Sequence, residues 1–245
     1  MPEITAGAIA PNFELPDEQT TPWVLSGQLE LGPVLLVFYR GDWCAYDNGQ
    51  LAGLARGFHE IERRGVQIAG ICVDPPQNNL RLSNELLLPF PLLSDPHGDV
   101  ARLYETWNPE EGVSAPAIVA VGRGGVIGGV ISGKDFADRP EDKEVLSLVR
   151  SLDGSVRGEY RGGERRVRVG AEDTGTSVRQ ERRVMTLEEN ITFFDGALLS
   201  AAVVLSRLES RRSSRGTRRE VSRVEGTLRL YRDYLIETAR LREGS

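Results

Sequence analysis

Cysteine and histidine are nearly absent from this 245-residue chain, which holds two of each. Two thiols, Cys44 and Cys72, are too few for a disulfide framework. With only His59 and His97, no cluster has metal-ligand spacing. No stretch reaches the roughly 18 consecutive apolar residues of a membrane span. The N-terminal MPEITAGAIAPNFELPD has no basic region followed by an apolar run, so no signal peptide is expected. The glycine-rich G-R-G-G-V-I-G-G at 122–129 lacks the G-K-[ST] ending of a phosphate loop. These absences point to a cytoplasmic protein with no metal, no cofactor and no membrane partner.

Charge is scarce in net terms, at −6, but unevenly spread. Residues 1–150 net −10, whereas residues 151–245 net +4, and every basic residue of the latter is arginine. The sign change suggests two regions with different surroundings. The arginines at 157–168 and 207–223 alternate with glutamates, so they read as a solvated, ion-paired surface and no nucleic-acid partner is expected.

What is present is an alternation of strand and helix signals. VLLVFY (34–39) is a continuous apolar run of buried-strand type. Leu51, Leu54, Phe58 and Ile61 then fall on one helical stripe. VQIAGICVD (66–74) and FPLLSD (90–95) read as strands, with a helix over 78–88 between them and one or two helical turns over 98–106. APAIVAVGRGGVIGGVIS (115–132) predicts a hairpin, and 141–152 a helix with Val145, Leu148, Val149 and Leu152 on its apolar face. Together these imply an α/β sheet covered by helices.

Beyond residue 153 the texture changes. Residues 155–170 suggest an exposed hairpin around Gly162-Gly163, and 171–180 a loop. Thr186 opens a capping box with Glu189, followed by Leu187, Ile191, Phe194, Leu198, Ala201, Leu205 and Leu208 at heptad spacing. Thr217 with Glu220 predicts a second capped helix carrying Val221, Val224, Leu228, Tyr231 and Leu235. Two such helices make an αα-hairpin that must pack on the first domain, on a second copy or on a partner. The division expected is 1–152, 153–185 and 186–243, with a homodimer as the assembly.

The chemistry concentrates in FYRGDWCAYDN (38–48). Cys44 lies where a strand turns into a helix, near unpaired N–H groups that stabilise a thiolate. Arg40 adds positive charge, Asp42 and Asp47 oppose it, and Trp43 shields one side of the sulfur. Asp47 is a proton acceptor for the thiol or a first-turn residue satisfying N–H groups. Cys72, near the end of its strand, is a small buried residue or a thiol that resolves Cys44.

The order A-P-N-F-E-L-P-D (10–17), V-L-L-V-F-Y-R-G-D-W-C (34–44), S-A-P-A-I-V-A-V (114–121) and F-A-D-R-P (136–140) resembles a thioredoxin-fold protein. More narrowly, it is similar to the peroxiredoxin-like branch of the alkyl hydroperoxide reductase/thiol-specific antioxidant family. The resemblance spans residues 8 to about 152 and implies a central sheet flanked by helices, extended here by a β-hairpin and an αα-hairpin. Relatives of that branch carry Y-R-G-x-W-C-P-Y-C, where this chain has C-A-Y-D. Against the P-x-x-x-T-x-x-C pattern of standard peroxiredoxins, Arg40 falls at the proline, Cys44 at the threonine and Asp47 at the peroxide-reacting cysteine. The resemblance implies a thiol oxidoreductase in which Cys44, Arg40 and Asp47 act on a peroxide or disulfide, with no cofactor and an external thiol reductant, either thioredoxin-like or of low molecular weight. Trp43, Tyr46, Ala115 and Pro116 would line the substrate groove, with Ala115-Pro116 a cis candidate. No residue is identified as the family's active-site arginine; Arg123, in the hairpin turn, is a poor match. C-A-Y-D and the long extension support a reading of another class, a catalytically degenerate redoxin domain that binds or assembles through its C-terminal helices.

Overall fold

A computed structural model describes residues 3–152, 160, 164, 167–176, 183–210 and 215–244. A five-stranded sheet forms its centre, in the order β5(Leu92–Ser94), β4(Gln67–Cys72), β3(Val34–Phe38), β8(Ala117–Val121), β9(Ile127–Ser132). β3, β4 and β5 run parallel, while β8 is antiparallel to both β3 and β9. Covered on both faces, β3 is buried at every residue. Its period-two alternation sends Leu35 and Val37 into one core and Val34, Leu36 and Phe38 into the other.

The first core is closed by α2(Ala45–Glu62), α3(Pro76–Leu86) and α5(Asp142–Arg150). The second lies under β1(Phe13–Pro16), β2(Pro22–Val24), α1(Leu25–Leu31) and α4(Asp99–Leu103). A short pair, β6(Trp107–Asn108) with β7(Val113–Ser114), completes this part.

The strands and helices expected from residue 34 to 152 are present within a few residues of their predicted ends. The expectation that 155–170 is exposed is corrected where the chain is described. Its one described strand, β10(Val167–Arg168), pairs in parallel with β1. Val169 is buried in the second core, and the Tyr160 hydroxyl bonds the Ala10 carbonyl. The tether is stitched to the body because its alternating apolar residues find an open strand edge there; the other arm of the expected hairpin lies outside the described residues.

The two helices of the extension are α6(Leu187–Ser210) and α7(Arg215–Glu243). Thr186 and Glu189 form the predicted reciprocal cap, with Glu189 N–H donating to Thr186 Oγ1 and Thr186 N–H to Glu189 Oε2. The second helix starts earlier than Thr217. α7 begins at Arg215 and carries Thr217 inside its first turn, where the preceding residues already supply helical backbone. α6 is, among the described residues, the one helix long and apolar enough to cross a membrane by length and composition. Its inner stripe lies against α7, and α7 in turn packs on α2.

Candidate active site

Pairing of Phe38 with Ala117 sets Pro116 at the same end of the sheet as the β3–α2 corner. At that corner Cys44 is the residue before α2, in extended conformation. Asp47, in the first turn, reaches back so that its Oδ2 accepts the Arg40 N–H at 3.0 Å. The bond ties the first turn of α2 back to the chain leaving β3; it is not a helix cap, since Arg40 precedes the helix and the residue before α2 makes no side-chain cap.

Arg40 spans the site. Its Nη1 lies 3.6 Å from Cys44 Sγ, and its guanidinium sits 4.6 Å from the Trp43 ring centroid and 5.2 Å from that of Phe136. Nη2 and Nε donate to the Glu111 carboxylate at 3.0–3.2 Å. A planar cation held by two rings and a carboxylate has little freedom left, which fixes its direction toward the sulfur.

Arg139 is the residue that sequence reasoning missed. It sits in the loop between β9 and α5, and its Nη2 stands 2.7 Å from Asp47 Oδ1, both side chains fully buried. Nη1 donates to Gln50 Oε1 at 2.8 Å and Nε to the Phe136 carbonyl. Burial disfavours its charge, but the Asp47 carboxylate and the Cys44 sulfur outweigh that and raise its pKa. The F-A-D-R-P motif was the available signal, since it holds this arginine beside the site.

Around the sulfur the balance of forces favours the thiol. Burial and then the Asp47 carboxylate push Cys44 up to about 12, against the pull of Arg139, the Asp47 amide and Arg40. Cys44 is only 5% exposed. The activating effect expected from Arg40 is present but overridden, because removing water from a thiolate costs more than one guanidinium at 3.6 Å returns.

Cys72 is a separate free thiol in the same region. It is fully buried, with Sγ 3.4 Å from Asn79 Oδ1, an oxygen that also accepts the Tyr39 hydroxyl at 2.8 Å. Burial and the Asp74 carboxylate raise its pKa well above the ordinary value. No disulfide joins it to Cys44.

Tyr46 and Pro116 are placed as follows. The Tyr46 ring is met edge-on by Phe136, Phe193 and Phe194 and packs in the core under α6. Its aromatic surface is better removed from water by those rings than left at a solvent channel. The Ala115-Pro116 bond is trans, like every peptide bond described. Ala115 N–H donates to the Thr106 carbonyl and the Pro116 carbonyl accepts from Gly133, so this extended backbone already has partners in the commoner isomer.

The model of the AhpC/TSA family matches residues 6–130. Alkyl hydroperoxide reductase E of Mycobacterium tuberculosis is 32% identical over 126 residues, covering 51% of this chain and 82% of that protein. Peroxiredoxin Bcp of Escherichia coli is 34% identical over 110 residues, 44% of this chain and 68% of that one. Among solved structures, peroxidoxin BcpB of Mycobacterium tuberculosis superposes with a TM-score of 0.54 at 23% identity, over 60% of this chain and 96% of its own. The reduced 2-Cys peroxiredoxin of Plasmodium vivax gives 0.55 at 20%, over 60% and 80%. The structural likenesses establish the thioredoxin-like fold. The family match ends before α5 and the helical hairpin.

Proposed function

The chain belongs to the AhpC/TSA family of peroxide-reducing thiol oxidoreductases, and we propose that it carries out that chemistry through a single thiol, Cys44, regenerated by an external thiol. The observation that carries this reading is the 3.6 Å approach of Arg40 Nη1 to Cys44 Sγ at the start of α2. Helix amides and a fixed guanidinium are the groups that stabilise a thiolate and the departing oxygen of a peroxide.

The Cys44 thiolate attacks the distal oxygen of a hydroperoxide, the O–O bond breaks, and the protonated alkoxide leaves as alcohol or water. The sulfur is left as sulfenic acid. An external thiol displaces water to give a mixed disulfide, and a second thiol releases Cys44 and carries away the oxidised disulfide. Asp47 cannot resolve the sulfenate as a second cysteine would; paired with Arg139, it holds the corner of α2 in place. With the buried thiol pushed up to about 12, the reacting form is one in which Cys44 meets solvent. In this reading 1–152 is the reacting unit, 153–185 the tether and 186–243 its cover, and the protein works in the cytoplasm.

Peroxide consumption with dithiothreitol as the probe reductant tests this. Loss of turnover in Cys44→Ser and its retention in Cys72→Ser are expected; equal rates in Cys44→Ser and the parent contradict the proposal.

A second reading has its own observation. A buried ion pair, Asp47–Arg139, occupies the place where the family's second cysteine would stand. The chain would then be a binding or assembly module acting through the hairpin. The outer face of α6 exposes Leu199, Val203 and Val204 and carries no charged side chain from 196 to 206, so nothing on it repels a second copy. A homodimer is the assembly this reading expects, and sedimentation at micromolar concentration tests it: a monomer removes it.

A further inference from the structure

The segment leading into α6 lies over the residues that flank Cys44. Met185 N–H points to the Asp42 carbonyl at 3.5 Å, and Asn48 Nδ2 donates both to that carbonyl at 3.0 Å and to Asn190 Oδ1 at 3.1 Å. Phe193 and Phe194 cover Tyr46. Behind them α7 seats Tyr231 and Tyr234 on two glycines of α2. A methyl built on Gly49 would stand 2.5 Å from Tyr231 Cβ, and one on Gly53 would stand 2.6 Å from the Tyr234 ring. Glycine spaced by four on one helix face thus makes a groove that the two tyrosines fill.

The contact has the anatomy of a docked interface, with aromatic rings at the centre and ion pairs around the edge. Arg223 meets Asp138 at 3.0 Å, Arg242 meets Glu85 at 2.6 Å and Arg56 meets Glu237. It is also imperfectly made. The Tyr231 hydroxyl is buried with no hydrogen-bond partner among the described residues. A cavity of about 190 Å³ runs along the seam beside Gly53, Leu54, Gly57, Val145 and the two tyrosines. An orphaned phenol and an unfilled seam both penalise the closed arrangement relative to a continuous core.

We infer that the α6–α7 hairpin is a gate on the Cys44 site, closed in this structure and opened when Tyr231 and Tyr234 leave the Gly49–Gly53 groove. The inference rests on the reading of Cys44 as the working thiol, and it assigns the extension the role of deciding when that thiol meets solvent. Closed, the hairpin keeps water from the sulfur and so holds it protonated. Open, it leaves Arg40 and the first turn of α2 to act on an exposed thiol. Cys72 lies within the sheet core among Tyr39, Asn79 and Ser94, and is not exposed by the same movement.

The test is the rate of iodoacetamide labelling of each cysteine at neutral pH in the full chain, read by mass spectrometry beside hydrogen exchange in α7. Gly49→Leu cannot be relieved by a side-chain swing, because the clash is with Tyr231 Cβ; it is expected to speed exchange over 228–238 and to raise Cys44 labelling about tenfold or more. Tyr231→Phe removes the orphaned hydroxyl, tightens the closed form and is expected to slow Cys44 labelling. Cys72 labelling stays unchanged in both. Faster α7 exchange with no change at Cys44 overturns the gate, as does Cys44 labelling that rises only together with Cys72. Because labelling reads access and not turnover, a gate that opens on a protein unable to consume peroxide retires the oxidoreductase reading and leaves the gate standing.

Discussion

Cys72 ends β4 and Cys44 lies in the turn between the neighbouring parallel β3 and α2, both buried and both free, yet cations reach only Cys44. Two guanidiniums, Arg139 and Arg40, pull Cys44 down against burial and the larger push of the Asp47 carboxylate. Two carboxylates, Asp74 and Asp42, act on Cys72. One thiol stands beside Asp42, Tyr46 and Asn48, which a hairpin late in the chain contacts; the other is enclosed by the sheet and α3. Burial raises both, so the difference lies in what each becomes once water is admitted. Arginines favour a thiolate at Cys44, and carboxylates keep Cys72 a thiol.

Removing the cation from the first corner breaks the contrast most severely. Arg139→Ala strands the Asp47 carboxylate in a dry site and is expected to cost about 3–5 kcal/mol in urea denaturation. A loss below about 1 kcal/mol would mean that water or another cation reaches Asp47.

The pH dependence sharpens it next. The folded pKa of Cys44, about 12, lies above its unfolded value of 9.0, so the native state holds the proton more tightly. This stabilisation is complete below the unfolded value and is lost as the pH rises toward 12. It amounts to about 4 kcal/mol over that window. Alkaline denaturation is therefore expected to be shallower in Cys44→Ser than in the parent, and labelling of Cys44 in the closed protein should climb steadily through alkaline pH with no plateau near the ordinary thiol value.

At the second corner the effects are smaller. Tyr39→Phe removes the hydroxyl that donates to Asn79 Oδ1 and should cost about 1 kcal/mol by denaturant unfolding, with no change in Cys44 labelling. Smallest is Glu111→Gln, whose carboxylate is 43% exposed where it pairs with Arg40; its stability effect should stay below about 1 kcal/mol. Even so, it frees the guanidinium, and Cys44 labelling in a Gly49→Leu background should rise further.

Sequence reading recovered what local pattern encodes. The buried run at β3, the stripe of α2, the Thr186 cap and the heptads of α6 and α7 each carry their signal within a few turns. The missed features depend on partners far away in the chain. Arg139 reaches Asp47 across 92 residues from a loop with no periodicity, and nothing near Tyr46 in the chain announces the rings of α6, nearly 150 residues on, that pack against it. β10 is two residues long and is a strand only because β1 offers an edge, whereas β1 and β2 are short and end or begin in proline. Gly49 and Gly53 carry no local signal, and their use appears only with Tyr231 and Tyr234 against them. The charge asymmetry between the halves was legible, but not that arginines of the basic half meet carboxylates of the acidic half in Arg223–Asp138 and Arg242–Glu85.

The central claim is that Cys44 is the working thiol of this site and that the hairpin decides its access. Trapping of sulfenic acid with dimedone after a pulse of hydrogen peroxide, read by mass spectrometry in the parent and in Gly49→Leu, tests it most directly. The account predicts an adduct at Cys44 that is weak in the parent, strong in Gly49→Leu and absent at Cys72. An opened hairpin with no adduct at Cys44 would contradict it and would leave the chain as a redoxin fold kept for binding.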